Sequence, residues 1–362
     1  MFDRRTLLGS GGAFALTACA SASEITTPAQ WRQLATEPYP RKQDDIFFVS
    51  RRIGWYGNGA GRLFRTRDGG EVWDKVWDHP GTFIRALGFM DDLNGLLGNV
   101  GVGYAPGVAD PIPLYRTRDA GATWAPVEAE GIGAVGGICG IDILPQHSIF
   151  QGELRSTLVI HAAGRVGGPA VVLRSVDGGE SWRVIDLSAH AGMILDVKFL
   201  DANTGFLCTG TSSNLDQSNA AILRTLDGGA TWARVYQSTR PLELCWKMSF
   251  PSPRIGYATV QNNAADVTAQ VVVKTSDGGA TWRELPLVDA LGLREFGVGF
   301  LTERRGWVGA SSTGFQTNDG GRTWAPVEIG RPVNKIRIVR EGRAYSVFAI
   351  GANVTRLDGE LR

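Results

Sequence analysis

The sequence lacks several features that would indicate a class of function. Its 37 basic and 36 acidic residues leave a net charge of only +1, which argues against a general nucleic-acid binder. No segment predicts a long amphipathic helix, and the N-terminal apolar stretch is too short to cross a membrane. The four histidines are not spaced as metal ligands, and neither a haem-attachment motif nor a dinucleotide-binding motif is present.

The N-terminal segment predicts export and lipidation. Residues 3–8, with the adjacent Arg4 and Arg5, resemble a twin-arginine export motif, and residues 16–19 resemble the cleavage box of a lipoprotein. We therefore expect residues 1–18 to be a signal peptide, Cys19 to receive the lipid and residues 19–28 to form a short linker. The predicted location is the periplasm, anchored to a membrane, or the lumenal side of the membrane in a photosynthetic host.

Cysteine is otherwise scarce. Besides Cys19 the chain contains only Cys139, Cys208 and Cys245, each within an apolar, strand-like run. An odd number of thiols in an exported chain leaves at least one of them free. We expect these three thiols to be buried and unreactive.

What the sequence does contain is a repeat of one short segment, whose clearest copies are Ser175–Trp182 and Thr275–Trp282. The six copies end in tryptophans that lie 42 to 58 residues apart. Their central aspartates are Asp68, Asp119, Asp177, Asp227, Asp277 and Asp319. Repetition at such a period is typical of propeller blades or solenoid coils.

Each copy lies between two runs of strand-forming residues, and Asp followed by glycine at that position predicts a hairpin turn. The carboxylate can accept backbone N–H groups, the glycines tolerate left-handed backbone, and the closing tryptophan can cover the blade. We therefore predict a structural role for the six aspartates.

The segment resembles the Asp-box, also called the bacterial neuraminidase repeat, Ser/Thr-x-Asp-x-Gly-x-Thr/Ser-Trp. Five copies match it fully, and the first has Val72 where Ser or Thr is expected. The resemblance implies a β-propeller. It implies no particular chemistry, because the repeat occurs in sialidases, xyloglucanases, sortilin-like receptors and assembly factors alike.

A second pattern between the copies, an apolar strand followed by a turn and a Gly-aromatic pair, raises the number of units to seven. The third unit is the most altered, with a longer turn expected from Pro145 to Thr157. The seventh ends in an incomplete copy around Asp358, and residues 30–34, with Trp31, resemble its missing strand. We predict an all-β fold over residues 29–362, a seven-bladed β-propeller of four-stranded antiparallel blades, closed by an N-terminal strand that joins the C-terminal blade.

These two patterns, repeated in an exported chain, resemble the photosystem II stability and assembly factor family. The resemblance extends over about residues 29–362 and rests on repeat motifs. It implies a non-catalytic, monomeric, lipid-anchored scaffold that binds a partner protein of a membrane-associated complex. No cofactor, metal ion or nucleic acid is implied.

Two enzymatic alternatives remain open at this point. An exported sialidase-like or other glycoside hydrolase would need two suitably separated carboxylates. Sialidases also carry a Phe/Tyr-Arg-Ile-Pro stretch, and the nearest match, residues 50–54, lacks the proline. An exported oxidoreductase is the second alternative, because twin-arginine export often accompanies cofactor enzymes.

Charged residues in the turns between the first and second strands of the predicted blades suggest a binding surface. Blades 5, 6, 7 and 1, which are neighbours in a closed ring, carry the arginines Arg254, Arg304, Arg305, Arg343, Arg51 and Arg52. We call these six residues the basic arc. The corresponding turns of blades 2 and 4 carry Asp91, Asp92 and Asp201. The basic arc would attract an acidic protein segment or an anionic lipid headgroup.

The opposite face is the rival binding site. Its longer connections, including residues 101–113 and 212–219, should surround the other end of the central channel. Polar residues of the first strands are predicted to line the channel, and these are Asp196, Lys198, Lys247 and Glu295.

Overall fold

Short apolar strands separated by turns dictate an all-β fold, and the described chain forms seven four-stranded antiparallel sheets. In this computed structural model the described residues are 30–150 and 153–361, with no side chain described at 147–150, 153–155 or 295. The predicted signal peptide, the linker and Cys19 lie outside the described residues. The first strands of successive sheets lie side by side around one axis, which confirms the seven-bladed propeller.

The first four blades follow one another along the chain. Blade 1 contains β2 (Gln43–Phe48), β3 (Gly54–Asn58), β4 (Arg62–Thr66) and β5 (Asp74–Asp78). Blade 2 contains β6 (Ile84–Phe89), β7 (Gly95–Asn99), β8 (Leu114–Thr117) and β9 (Ala125–Pro126). Blade 3 contains β10 (Gly140–Phe150), β11 (Glu153–Ala163), β12 (Val171–Ser175) and β13 (Arg183–Asp186). Blade 4 contains β14 (Met193–Phe199), β15 (Gly205–Gly210), β16 (Ala220–Thr225) and β17 (Ala233–Gln237).

The last three blades complete the ring. Blade 5 contains β18 (Glu243–Ser249), β19 (Gly256–Asn262), β20 (Ala269–Thr275) and β21 (Arg283–Asp289). Blade 6 contains β22 (Glu295–Phe300), β23 (Gly306–Ala310), β24 (Gly314–Thr317) and β25 (Ala325–Val327). Blade 7 contains β26 (Val333–Glu341), β27 (Ala344–Gly351), β28 (Val354–Glu360) and β1 (Arg32–Leu34). The helices of the described residues are two short 3-10 turns, Ile132–Ala134 and Leu215–Gln217, and no helix there is long and apolar enough to span a bilayer.

The N-terminal strand completes the C-terminal blade, as predicted. β1 pairs antiparallel with β28, and Leu34 lies opposite Val354. Leu34 is 2% exposed and packs into an apolar cluster with Phe48 of blade 1 and Phe348 of blade 7. The indole of Trp31 meets that of Trp307 of blade 6 edge-on, with 5.7 Å between ring centroids. This one strand therefore contributes to both of the seams that flank blade 7.

Seven of the apolar clusters among the described residues lie at the seams, one between each pair of neighbouring blades. The Gly-aromatic pattern has a steric cause, because the aromatic ring that ends a first strand covers the glycine that begins the second. A Cβ at Gly205 would lie 2.4 Å from the ring of Phe199. Any side chain there would displace the ring from the seam.

The third blade corrects one expectation, because residues 145 to 157 do not form a long turn. β10 and β11 continue as a regular hairpin in which Pro145 lies opposite Leu158, and the pairing extends to Phe150 and Glu153. Pro145 is tolerated because β10 is the innermost strand of its blade and has a hydrogen-bonded neighbour on one side only.

The six repeated aspartates lie in turns between the third and fourth strands of blades 1 to 6, which we call the aspartate turns. At Asp277, Oδ1 accepts the Thr275 hydroxyl at 2.8 Å and the Thr281 N–H at 3.0 Å, and Oδ2 accepts the Thr281 hydroxyl at 2.6 Å. The Gly279 N–H closes the turn onto the Thr275 hydroxyl at 2.8 Å. These bonds stabilise the carboxylate, so the pKa of Asp277 falls to about 2, chiefly through the Thr281 hydroxyl.

The completion of blade 7 by β1 leads to a first prediction, which concerns the free energy of unfolding. Replacing the buried Leu34 by alanine removes apolar packing from the seam between blades 7 and 1, and we expect Leu34→Ala to lower the free energy of unfolding by about 2–4 kcal/mol. Gln33→Ala, at an exposed position of the same strand, should change it by less than about 0.5 kcal/mol. Urea denaturation of both variants measures the difference, and equal stabilities would show that β1 does not support the ring.

The aspartate turns lead to a second prediction, which concerns the stability of the folded protein at low pH. The pKa values of Asp227 and Asp277 are about 2 in the folded protein, whereas an unperturbed Asp titrates near about 3.9. The unfolded state therefore binds more protons between these values, so this stabilisation is complete above about pH 4 and is lost as the pH falls towards about 2. As the pH falls over that range, the melting temperature of the double variant Asp227→Asn/Asp277→Asn should decrease less than that of the wild type.

The matched control for the acid experiment is Asp266→Asn/Asp289→Asn. Both side chains are exposed, and neither is hydrogen-bonded to another described residue. This control should keep the full acid sensitivity of the wild type. If the melting temperatures of all three proteins fall in parallel below about pH 4, the aspartate turns are not the source of the effect.

Candidate partner-binding face and central cavity

The turns between first and second strands lie on the same face as the aspartate turns, which we call the turn face. Backbone hydrogen bonds join the two sets of turns within a blade. The N–H groups of Gly69, Gly278 and Gly320 donate to the carbonyl oxygens of Arg52 (2.8 Å), Arg254 (3.0 Å) and Arg304 (2.9 Å), respectively. The opposite side, which we call the loop face, carries the connections between blades. The backbone of the aspartate turns thus supports the turns that carry the basic arc.

A central cavity of about 430 Å³ lies among the first strands of blades 3 to 7. Its lining includes residues from the ends of those strands nearest the turn face. The charged members of this lining are Asp142, Asp196, Lys198, Arg337 and Arg340. The cavity and the basic arc therefore belong to the same face of the propeller.

The carboxylates of the cavity fasten one blade to the next. Asp142 of blade 3 accepts the Lys198 ammonium at 2.7 Å and the Phe199 N–H of blade 4 at 2.8 Å. Asp196 of blade 4 accepts the Lys247 ammonium at 3.2 Å and the Met248 N–H of blade 5 at 3.1 Å. Each carboxylate thus holds a lysine and a backbone N–H of the following blade. We call these two contacts the carboxylate clasps.

A third carboxylate, that of the buried Asp45 of blade 1, joins blades 7, 1 and 2 around the same axis. The fully buried Asp45 accepts the Leu87 N–H of blade 2 at 2.7 Å and pairs with the Lys335 ammonium of blade 7 at 2.5 Å. Burial by itself would raise the pKa of Asp45, but Lys335 and Arg337 outweigh burial and hold it below its usual value. Removing either partner would leave an uncompensated buried charge.

The channel is filled by side chains towards the loop face. The ring of Trp246 from blade 5 meets that of Phe296 edge-on at 5.8 Å, and the Arg85 guanidinium of blade 2 lies 5.3 Å from the Trp246 centroid. Arg85 is itself paired with the buried Asp44 at 2.8 Å. Contacts across the ring between blades 2 and 5 therefore close this end, and the open cavity lies on the turn face.

The predicted channel residues have different positions. Asp196 and Lys198 line the cavity, whereas Lys247 is 5% exposed and donates to the backbone oxygens of Leu195 at 2.7 Å and Cys139 at 3.3 Å. Glu295 begins the first strand of blade 6, and its side chain lies outside the described part of the structure. The geometry thus places Lys247 among packed residues.

The closed ring makes the blades of the basic arc contiguous, because blade 7 lies between blades 6 and 1. Of the six arginines, four are exposed at the surface. These are Arg52, Arg254, Arg304 and Arg343. The guanidinium groups of Arg52 and Arg304 make no hydrogen bond to a described residue, which leaves their donors available to a partner.

The remaining two arginines of the basic arc are held by blade 7. Arg51 donates to the Ser346 hydroxyl at 2.9 Å and pairs with Asp358 at 3.2 Å. Arg305 donates to the Tyr345 hydroxyl at 3.0 Å, and its guanidinium carbon lies 5.2 Å from the Trp307 ring centroid. Both side chains join neighbouring blades, so their first role is packing.

Two further basic residues, Arg337 and Arg340, were not predicted from the sequence. Arg337 donates to the Ile46 oxygen at 3.2 Å and lies over the Phe47 ring at 5.5 Å, while Arg340 is exposed. Both line the cavity and extend the positive surface from the turns of the basic arc inwards. The alternation of Lys335, Ile336 and Arg337 in a first strand was the available indication.

The acidic turns of blades 2 and 4 have a local structural cause. Asp91 accepts the N–H groups of Leu93 and Asn94 at 2.8 and 2.7 Å. Asp201 accepts those of Asn203 and Thr204 at 2.8 and 2.7 Å. These carboxylates stabilise their own turns.

Comparison with known proteins gives one local likeness in sequence. No family model matches the chain. A stretch of 61 residues is 41% identical to the chloroplastic photosystem II stability/assembly factor HCF136 of Arabidopsis thaliana, and it covers 16% of this chain and 15% of that protein. The match thus spans a small part of both proteins.

The fold is similar to those of several solved structures. YCF48 bound to a D1 peptide superposes with a TM-score of 0.61 at 17% identity, covering 93% of this chain and 96% of that chain. The GH74 xyloglucanase from Xanthomonas campestris gives a TM-score of 0.61 at 15% identity, covering 90% of this chain and 52% of that chain. At such identities these likenesses show a shared fold. The chain is therefore similar to photosystem II assembly factors over one stretch of sequence, and to YCF48 in fold over nearly its whole described length.

Proposed function

We propose that this chain is a non-catalytic propeller scaffold that binds an acidic segment of a partner protein through the basic arc. The observation that carries the proposal is the set of exposed arginines in the turns of four neighbouring blades, on the same face as the cavity. The guanidinium groups of Arg52 and Arg304, in the blades on either side of blade 7, make no hydrogen bond within the described part of the chain, and Arg340 lines the cavity. Guanidinium groups favour carboxylates because they can donate two parallel hydrogen bonds.

The likeness to assembly factors supports a partner of one kind. A protein of similar fold, YCF48, is known with a D1 peptide bound, and HCF136 is named as a photosystem II stability/assembly factor. By extension, we infer that the present chain binds a protein of a membrane-associated complex during its assembly or maintenance. The six aspartate turns are, in this proposal, Asp-boxes that stiffen the blades presenting the binding turns.

The geometry of the cavity favours binding over glycoside hydrolysis. A hydrolase of this kind needs one carboxylic acid that can donate a proton and one carboxylate that can act as base or nucleophile. Asp142 and Asp196 each accept a lysine and a backbone N–H from the next blade. In the proposal, both therefore have a structural role in the carboxylate clasps.

Membrane attachment is the second part of the proposal. Export through the N-terminal segment and lipidation at Cys19 would leave residues 20–28 as a tether of at most roughly 30 Å. A monomeric propeller on such a tether stays close to the membrane that holds its partner. Local confinement of this kind raises the effective concentration of the partner.

A third prediction tests the basic arc. The double variant Arg52→Glu/Arg304→Glu reverses two exposed charges on the turn face, and we expect it to recover about tenfold less partner than the wild type, because acidic groups would then face acidic groups. The measurement is chemical crosslinking in native membranes, followed by affinity purification and quantitative mass spectrometry of the proteins that copurify. Wild-type recovery should also fall as the salt concentration rises.

The matched control is Arg41→Glu/Arg294→Glu, which makes the same change in net charge at two exposed residues of the loop face. This variant should recover the same proteins as the wild type. Loss of the partner in both double variants would indicate a net-charge effect. Undiminished recovery with the Arg52→Glu/Arg304→Glu variant would exclude the basic arc as the binding surface.

A further inference from the structure

Two thiols meet inside the apolar cluster between blades 4 and 5. Cys208 lies in β15 of blade 4 and Cys245 lies in β18 of blade 5. Their Sγ atoms are 3.0 Å apart, and both residues are 0% exposed. A disulfide bond is about 2.05 Å long, so the two sulfur atoms need to approach by about 1 Å more. We propose that Cys208 and Cys245 form a disulfide bond that links blade 4 to blade 5.

The surroundings of the two thiols suit a covalent link. Both belong to one apolar cluster, which also contains Ile222 of blade 4 and Val260 of blade 5. Cys208 lies opposite Ile222 within its own sheet, and Cys245 lies opposite Val260 within the next. Since the two sheets share no backbone pairing, the link would join two separate blades.

The link would reinforce a seam that already carries one of the carboxylate clasps. Asp196 of blade 4 lies opposite Cys208 in its sheet and holds Lys247, which is two residues beyond Cys245. The disulfide would close a loop between two cysteines that are 37 positions apart in the sequence. Closing such a loop limits the conformations of the unfolded chain and so favours the folded state.

The chemistry is a thiol–disulfide exchange with an oxidised disulfide donor, either a protein dithiol oxidase or glutathione disulfide. One cysteine thiolate attacks a sulfur of the donor, forms a mixed disulfide and displaces the first donor thiol. The second cysteine thiolate then attacks the mixed disulfide, forms the Cys208–Cys245 bond and displaces the second donor thiol. The two cysteines lose two protons and two electrons in total, and the donor disulfide gains them.

Burial determines when this exchange takes place. Burial raises the pKa of the Cys208 thiol well above its usual value, and the neighbouring Cys245 raises it further. The reactive thiolate is therefore disfavoured once the seam has closed. Exchange therefore requires that blades 4 and 5 separate enough to admit an oxidised disulfide donor, as they do when the protein folds or refolds in its presence.

The third described thiol, Cys139, has a different position. It lies in a separate cluster with Phe83, Val100 and Val108, on the side of blades 2 and 3. It is also buried, at 1% exposure. Cys139 is therefore the thiol that we expect to remain reduced when the other two are linked.

A fourth prediction follows and can be tested on the full chain. The protein is unfolded under reducing conditions, refolded in a mixture of oxidised and reduced glutathione, quenched in acid and alkylated in denaturant. Peptide mapping by mass spectrometry should then find Cys208 linked to Cys245 and Cys139 alkylated. Recovery of Cys208 and Cys245 as two alkylated residues, or of either one linked to Cys139 or Cys19, would overturn the proposal.

Two variants make the result specific to this pair. Cys139→Ala should keep the linked peptide, whereas Cys208→Ala should leave Cys245 alkylated. The oxidised wild type should melt several degrees above protein refolded with reductant, and Cys208→Ala should show no such difference; equal melting temperatures for the two wild-type forms would count against the link.

The proposal shares only the prediction of export with the proposed function. The refolding experiment needs neither membrane nor partner protein. Absence of the disulfide would leave partner binding by the basic arc unaffected, and failure of partner binding would leave the disulfide result unaffected. The two failures are therefore distinguishable.

Discussion

Closure of the ring between blades 7 and 1 is the constraint on which the rest of the structure depends. An open propeller would expose a strand edge and would separate the turns of blade 7 from those of blade 1. β1 closes the last sheet, and charged side chains fasten the seam on the turn face. Arg356 of blade 7 donates to the Gly69 oxygen of blade 1 at 2.7 Å, and Asp358 holds both Arg356 and Arg51. The incomplete seventh repeat thus provides seam contacts where the other six provide turns.

The polar residues around the axis hold the blades together, which limits their availability for binding a partner. Asp142, Asp196 and Asp45 each accept groups from a neighbouring blade, so the inner ring is held by specific bonds as well as by apolar packing. Buried charges that are paired in this way contribute to a defined arrangement more than to net stability. The exposed charges of the turns, and Arg340 at the cavity, take no part in these contacts. In our proposal, the binding surface is therefore built from residues other than those that hold the inner ring together.

Much of the fold was predictable because each repeat is a local pattern. The spacing of the six tryptophans indicated the blades, and the likeness of residues 30–34 to a fourth strand indicated the closure that β1 makes. The hairpin of β10 and β11 was not predicted, because a longer turn was expected between Pro145 and Thr157, and only the edge position of β10 explains why Pro145 is tolerated. The site was less predictable. Arg305 packs against Tyr345 and Lys247 against Leu195, and such contacts between blades depend on residues that lie far apart in the sequence.

The turn face brings these observations together, because ring closure, aspartate turns and exposed arginines all meet there. A photoreactive amino acid placed at position 304 on this face, or at position 294 on the loop face, tests the central claim most directly when the protein is irradiated in its native membrane. The account predicts a crosslinked partner from position 304 and none from position 294. A partner captured from position 294 alone, or equally from both positions, would contradict it.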